Sequence, residues 1–462
     1  MEKIIEKVLK KILPTKKETK KMKSLTENCL KYIQEICKEY EYKIEPMLVG
    51  SVTRNTWLRD KWEFDIFLLF DKNLEKNVLE SVGIEIGKRF CEKFNGKASL
   101  EYAEHPYVKC VKNNLSIDIV PCFKVDSPKE LKSSVDRTPF HVEYLSKKIN
   151  EKNSNEVRLL KKFLINNFLY GSDVKTSGFS GFLCELLIIK YGSFIELLKN
   201  ASKWEYGTVI DLENYYENEN EVRKKFKSSA LIVIDPIDKE RNCAAALSVE
   251  NFFYFKKLAK EFLNKPSEKF FFGGKIFKEK IRNLIKKRKT KMLLIKFKKP
   301  NISEEIIYSQ LKSFADRIKS ILEEKKYEFQ VIGTSVSTDG RNCYVFLEIS
   351  IHELPSIQKR IGPPVYDIKN YKNFLEKYKN AFKVYIENNR WVAIVKRNFE
   401  NVKEKLIDSL KEKKEILIAK GIPSYIAESI SKKFEIIEDL KIEKYVKKLN
   451  RMFFEYFEKD LK

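Results

Sequence analysis

The apolar positions of this chain change period several times, and each change marks an element. Over residues 2–13, and again through TKKETKKMKSLTENCLKYIQEICKEY, they recur every three to four residues. That spacing predicts a short amphipathic helix ended by Pro14 and a longer helix after it. IEPMLVGS then enters a turn at Gly50, and WEFDIFLLF, residues 62–70, switches to the alternation of a buried strand. A helix over VLESVGIEIGKRFCEKF, the strand-like ASLEYAEHPYVKCV and a strand near 115–121 complete a small α/β unit within the first 140 residues, with the 62–70 strand near its centre. Helical patterns over 154–170 and 179–200, joined by GSDVKTSG, open a mainly helical region that runs to about residue 260.

Farther on, KMLLIKF, SEEIIYSQLKSFADRIKSILEEK, EFQVIGTSVST, RNCYVFLEISI, KNYKNFLEKYKN and KVYIENNRWVAIVK read as β-α-β-β-α-β. That is the ferredoxin-like plan, which hosts many functions and by itself predicts only a compact domain. Residues 400–462 read as charged amphipathic helices interrupted at Gly421 and Pro423. The fold class expected is therefore α+β and multidomain.

Composition narrows the partners. With 91 Lys and Arg against 66 Asp and Glu, the chain carries a formal charge of +25. Such a balance favours a polyanion, with nucleic acid ahead of an anionic membrane surface. No run approaches eighteen apolar residues and MEKIIEKVLKKILPTKK lacks a small-residue cleavage site, so a cytoplasmic protein is expected. The eight cysteines are scattered without a C-x-x-C pair and read as thiols of a reducing compartment. The three histidines, His105, His141 and His352, have no zinc-ligand spacing.

Within the 62–70 strand, Glu63 and Asp65 project from one face while Phe64, Ile66 and Leu68 take the other. Two carboxylates held that close repel unless a cation lies between them. A lone E-x-D is more often a solvated strand face, but the surroundings weigh against that reading. Gly50 and Ser51 form a turn just upstream that suits a phosphate, and Arg54 can pair with the same group. In NLSIDIVPCF, Asp118 interrupts an apolar strand between Ile117 and Ile119. Pairing that strand beside residues 62–70 would gather three carboxylates, hard oxygen donors that suit Mg²⁺. Turn, cation and three acids are the parts of two-metal phosphoryl transfer.

This arrangement resembles the polymerase-beta-type nucleotidyltransferases, and nearly the whole chain is similar to the archaeal class I CCA-adding enzymes. YAEHPYVKC, SSVDRTPFHVEYL, NEVRLLKKFL, GFSGFLCELLIIKYGSF, VIDPIDKERNCAAALS and RIGPP carry the resemblance in order. Glu63 departs from the D-x-D of the wider superfamily but matches the E-x-D of the archaeal branch. The resemblance implies a polymerase-beta-like catalytic head over 1–141 and a central helical domain over 142–260. It further implies a body from 261–291 and 398–462, and a ferredoxin-like tRNA-binding tail over 292–397. It implies that Glu63 and Asp65 bind the nucleotide-bound metal, that Asp118 joins them at the metal activating the RNA 3′-hydroxyl, and that Ser51 and Arg54 hold the triphosphate.

Thr138 and His141 are carried by the same resemblance to the nucleotide pocket, Lys161 and Tyr170 to triphosphate and sugar, and Arg241 to the base. By pattern alone His141 reads as a packed core residue, Lys161 as solvated, Tyr170 as core, and Arg241 as a surface partner of Asp238 or Glu240. Lys161 and Tyr170, nine apart on a helix beginning near Asn153 and Ser154, would face opposite ways. They can serve one ligand only if that helix stops before Tyr170 or the nucleotide lies across its end, and Gly171 supplies a stop. KEKIRNLIKKRKTK at 278–291 and RMFFEYF read as a solvated charged face and a core cluster, respectively. The family's partners are tRNA, CTP and ATP, and it implies a homodimer. A poly(A) polymerase or oligonucleotide synthetase shares the same metal site, and a noncatalytic RNA-binding protein shares the charge.

Overall fold

The computed structural model describes residues 1–102, 105–274, 276–324, 327–459 and 461. Ala103 and Glu104 of the YAEHPYVKC motif lie outside the described residues. Two compact units are distinguished, one within residues 1–274 and one within 276–459.

The first unit opens with α1 (Glu2–Ile12) and α2 (Lys16–Cys37). Thr15 starts α2 with a capping box: its hydroxyl accepts from the Glu18 amide, and the Glu18 carboxylate accepts from the Thr15 amide. A five-stranded sheet follows, built from β1 (Ile44–Val49), β2 (Trp62–Asp71), β3 (Lys97–Tyr102), β4 (Pro106–Lys112) and β5 (Leu115–Lys124). Its order is β1-β2-β5-β4-β3, so β5 is central and β2 lies directly beside it, near the centre as expected for the 62–70 strand. On its other side β2 pairs antiparallel with β1, whose strand signature Pro46 weakens. The segment 98–111 is likewise two strands, the hairpin β3–β4.

On one sheet face Phe64, Ile66, Leu68 and Phe70 of β2 and Ile117 and Ile119 of β5 meet Cys29 and Ile33 of α2 and Leu79, Ile86 and Phe90 of α3 (Lys76–Lys93). Helix α3 presses close to the sheet, because a Cβ at Gly87 would stand 2.7 Å from Cβ of Val108. Gly87→Ala should therefore destabilise the protein by about 1–3 kcal/mol in spite of alanine's better helix propensity. A lowered thermal midpoint with an unchanged denaturant m-value checks this. Cys91 of α3 and Cys110 of β4 form a disulfide with Cα atoms 5.5 Å apart, correcting the expectation of eight thiols; the other six cysteines are free and buried. The packing of α3 on β4 joins two cysteines whose 19-residue separation gives no sequence signal.

After this sheet come α4 (Thr138–Lys148), α5 (Glu151–Asn166), α6 (Gly181–Tyr191) and α7 (Phe194–Ala201). Asn150 caps α5, accepting from the Asn153 amide, so the helix begins before the expected Asn153 and Ser154. The pattern over 179–200 is two helices, broken at Gly192 (φ +78°) and restarted by the Ser193 cap. A small sheet not foreseen in this helical region runs β6 (Thr208–Ile210), β7 (Leu231–Asp235), β8 (Asp238–Asn242) in that order. Phe163, Phe194, Phe262 and Phe271 meet edge to face at the centre of the core.

In the second unit β9 (Lys291–Lys298), β10 (Gln330–Thr338), β11 (Asn342–Ile351) and β15 (Phe434–Glu438) form an antiparallel sheet in the order β10-β11-β9-β15. Both faces are buried, which explains the continuous apolar runs: Leu293, Ile295 and Phe297 point to one cluster, Met292 and Leu294 to another. The β-α-β-β-α-β order is realised, but its closing strand is β15 and not the hairpin at 383–396. That hairpin, β13 (Lys383–Glu387) and β14 (Arg390–Lys396), pairs instead with β12 (Ile357–Pro364), which carries RIGPP. Met452 and Phe453 of RMFFEYF are core residues, and only Ile281 and Ile285 are buried in the helix Lys278–Arg288, as their patterns indicated.

Candidate active site

Strands β2 and β5 run parallel with Asp65 opposite Asp118 and Glu63 opposite Ser116. Side-chain alternation then puts Glu63, Asp65, Phe67 and Leu69 on one face with Ser116, Asp118, Val120 and Cys122. This face changes character along its length. Phe67, Leu69, Val120 and Cys122 form a small apolar cluster, covered by Val135 and Val142. The acidic half is left as one wall of a cavity of about 570 Å³.

The turn after β1 forms the opposing lip. Gly50 has φ +82°, and a Cβ there would stand 2.6 Å from Oδ2 of Asp65, so only glycine lets this backbone lie against the carboxylate. The turn is closed by the Thr56 amide donating to the Ser51 carbonyl at 2.9 Å and by the Thr53 hydroxyl donating to the Gly50 carbonyl at 2.9 Å. Ser51 and Arg54 line the cavity from this turn.

Arg54 is anchored by a residue that the sequence reading did not single out. Its Nε and Nη2 donate to Oε2 of Glu185 on α6 at 3.2 and 2.9 Å. The other oxygen of Glu185 accepts from the Thr56 hydroxyl at 2.6 Å and lies 4.0 Å from Nζ of Lys161. Lys161 is buried rather than solvated, and donates to the Thr56 carbonyl and hydroxyl, both at 3.2 Å. Burial pushes its ammonium pKa down, with Glu185 opposing. Beside it Arg158 is fully buried, donating to the Trp57 carbonyl and Asn55 at 2.8 and 2.7 Å. Helix α5 does stop before Tyr170, which sits on an isolated bridge to Phe179, so Lys161 and Tyr170 reach the same cavity. Burial raises the Tyr170 phenol well above its ordinary value.

The carboxylates are under electrostatic load. Burial, and then the charges of Asp118 and Glu63, push Asp65 up to about 7. Asp118 is raised by burial against the pull of Lys109, whose Nζ lies 3.6 Å from Oδ1, beyond hydrogen-bonding distance. Lys61 stands 3.5 Å from Glu63. Oδ1 of Asp118 and Oγ of Ser116 are buried without a hydrogen-bond partner among the described residues. No three His, Cys, Asp or Glu among the described residues are gathered closely enough to ligate one ion as they stand. The orphaned oxygen, the neighbouring acid and the all-oxygen donor set nevertheless fit a hard divalent cation.

His141 on α4 also lines the cavity, with its ring 4.0 Å from that of Phe182. Its Nε2 lies 2.9 Å from a carboxylate oxygen of Asp235, the last residue of β7. The same carboxylate accepts from Nη1 of Arg241 at 2.7 Å. Arg241 thus pairs with neither Asp238, which binds Arg137 at 3.0 Å, nor Glu240, which binds Lys225. Of the ten residues singled out, nine line the cavity: Ser51, Arg54, Glu63, Asp65, Asp118, Thr138, His141, Lys161 and Tyr170. Arg241 is joined to it through Asp235.

Three family models match the chain in succession. These are "Nucleotidyltransferase domain" over residues 30–141, "tRNA nucleotidyltransferase, second domain" over 155–272, and "CCA-adding enzyme, C-terminal domain" over 288–439. The CCA-adding enzyme of Methanocaldococcus jannaschii is 39% identical over 408 residues, 87% of this chain and 89% of that one. That of Archaeoglobus fulgidus is 38% identical over 456 residues, 96% of each chain. With sequence similarity running the length of both units, the chain belongs to the CCA-adding enzymes, a family of tRNA nucleotidyltransferases.

Proposed function

We propose that this protein adds C, C and A in turn to the 3′ end of tRNA from CTP and ATP, without a nucleic-acid template. The observation that carries the chemistry is the register of β2 and β5, with Asp65 opposite Asp118, Glu63 on the same face and the Gly50 turn against them. The tRNA 3′-hydroxyl attacks the α-phosphorus in line and pyrophosphate leaves. When bound, two Mg²⁺ ions on Glu63, Asp65 and Asp118 supply charge stabilisation for the attacking and leaving oxygens.

The remaining residues bind and orient. Ser51 and Arg54 donate to the triphosphate, and Glu185 fixes the guanidinium so that its unused donors are aimed in advance. Lys161 and Tyr170 contact triphosphate and sugar; the raised phenol stays protonated and acts as a donor. Thr138 and His141 line the nucleoside end. Arg241, donor-only, meets acceptors on the pairing edges of cytosine and adenine and opposes the N–H groups of uracil and guanine, and the RNA end completes the selection.

The catalytic head is assigned to 1–141 and the central domain to 142–260. The C-terminal unit, in a chain of net charge +25, is assigned to the acceptor arm of tRNA, whose A-form backbone is recognised by shape. A cytoplasmic homodimer is the form expected from the family. No helix among the described residues is long and apolar enough to cross a membrane.

To test this reading, tRNA lacking CCA is incubated with Mg²⁺ and single nucleotides. CTP alone should extend it by two residues, subsequent ATP by one, and UTP and GTP should be rejected. A homopolymer tail from one nucleotide would instead identify a poly(A)-polymerase-like enzyme, and tight tRNA binding without incorporation a binding protein.

A further inference from the structure

Asp235 has no part in holding a metal or a phosphate in the scheme above, yet it is fully buried beside the nucleoside end of the cavity. Its carboxylate gathers three donors from three places. His141 Nε2 comes from α4 at 2.9 Å, Arg241 Nη1 from β8 at 2.7 Å, and the Ile237 amide from its own turn at 3.1 Å. Burial would raise this carboxyl, but His141, the Ile237 amide and Arg241 together hold it below its ordinary range. As an anion it only accepts hydrogen bonds, so the His141 nitrogen facing it carries the proton. That leaves Nδ1 as the ring's other polar atom, in a ring packed on Phe182. Arg241 spends Nη1 on Asp235 and on the Cys243 sulfur, while its Nε and Nη2 donate to no acceptor among the described residues.

We infer that Asp235 is the positioning residue for base selection: one buried carboxylate sets both the direction of the Arg241 guanidinium and the proton-bearing nitrogen of His141. The inference rests on the reading of Arg241 as the base contact. A guanidinium discriminates by where its N–H vectors point, so a residue that fixes those vectors controls the choice between bases even without touching them. Asp238 and Glu240 cannot substitute, being engaged with Arg137 and Lys225.

The experiment measures kcat/KM for CMP and UMP addition to tRNA lacking CCA, using the full chain and the variants Asp235→Asn, Arg241→Ala and the double variant. Asp235→Asn should lower the CMP-to-UMP selectivity at least fivefold, chiefly through KM for CTP, and the double variant should lose no more than Arg241→Ala. If Asp235→Asn slows both nucleotides by one factor while Arg241→Ala loses selectivity, Asp235 is structural only and the inference falls. If Arg241→Ala keeps the selectivity of the wild type, the base-contact reading itself falls. Should Asp235→Asn not melt cooperatively, the decision passes to the wild type labelled in its three histidines. Long-range ¹H–¹⁵N spectra should then place a proton on Nε2 of His141, and a bare Nε2 overturns the proposal.

Discussion

Asp65→Asn is expected to lower nucleotide addition by about 10²–10³-fold or more, the order of loss when a group that stabilises transition-state charge is removed. At the same time it should remove a pH-dependent weakness of the fold. The two effects share one cause. Asp65 is pushed up to about 7 because it is buried beside Asp118 and Glu63, whereas in the unfolded chain it titrates near 3.8. Between those values the folded state binds the extra proton, so stability falls as pH rises through that window. Asp118, also raised, acts in the same direction. An amide at position 65 has no charge to desolvate. Thermal melts in chelator should therefore show the wild type losing stability from about pH 4 to pH 7, and the variant losing clearly less. A variant that is inactive because it is unfolded would show no cooperative melt at any pH.

Gly50→Ala is the second large effect. The new Cβ would sit 2.6 Å from Oδ2 of Asp65 on a backbone held at φ +82°. Left-handed backbone costs an L-residue about 1–2 kcal/mol, and relief of the clash must come from the turn or from the carboxylate. Either movement displaces Ser51 relative to Asp65. A misplacement of about 1 Å at a reacting centre costs on the order of 10²-fold in rate. We expect kcat to fall by about that factor, with a thermal midpoint only a few degrees lower. An alanine variant with full activity would show that the turn does not form part of the site.

How much of this was legible in the chain depends on the range of the interactions. The parity of Glu63 and Asp65, and Asp118 set into an apolar run, needed only the two-residue period of a strand, and the register of β2 with β5 brought them together. Glu185 and Asp235 were passed over, although the same signal marks them. Glu185 interrupts the apolar run FLCELLII, and Asp235 ends LIVI. Their partners lie 131 and 94 residues away, at Arg54 and His141, so their roles emerge only from packing. Strands β1, β12 and β15 were missed for local reasons. Pro46, Pro363 and Pro364 weaken the first two, and FEIIE lies in a charged stretch that reads as helix.

The most direct measurement pairs the wild type with Asp118→Ala on tRNA lacking CCA, in Mg²⁺ with CTP and ATP together, and sequences the 3′ ends. The wild type should yield ends closed with CCA and nothing longer, and the variant should leave the tRNA unextended. Homopolymer ends from the wild type, or CCA ends from Asp118→Ala at the wild-type rate, would contradict the account.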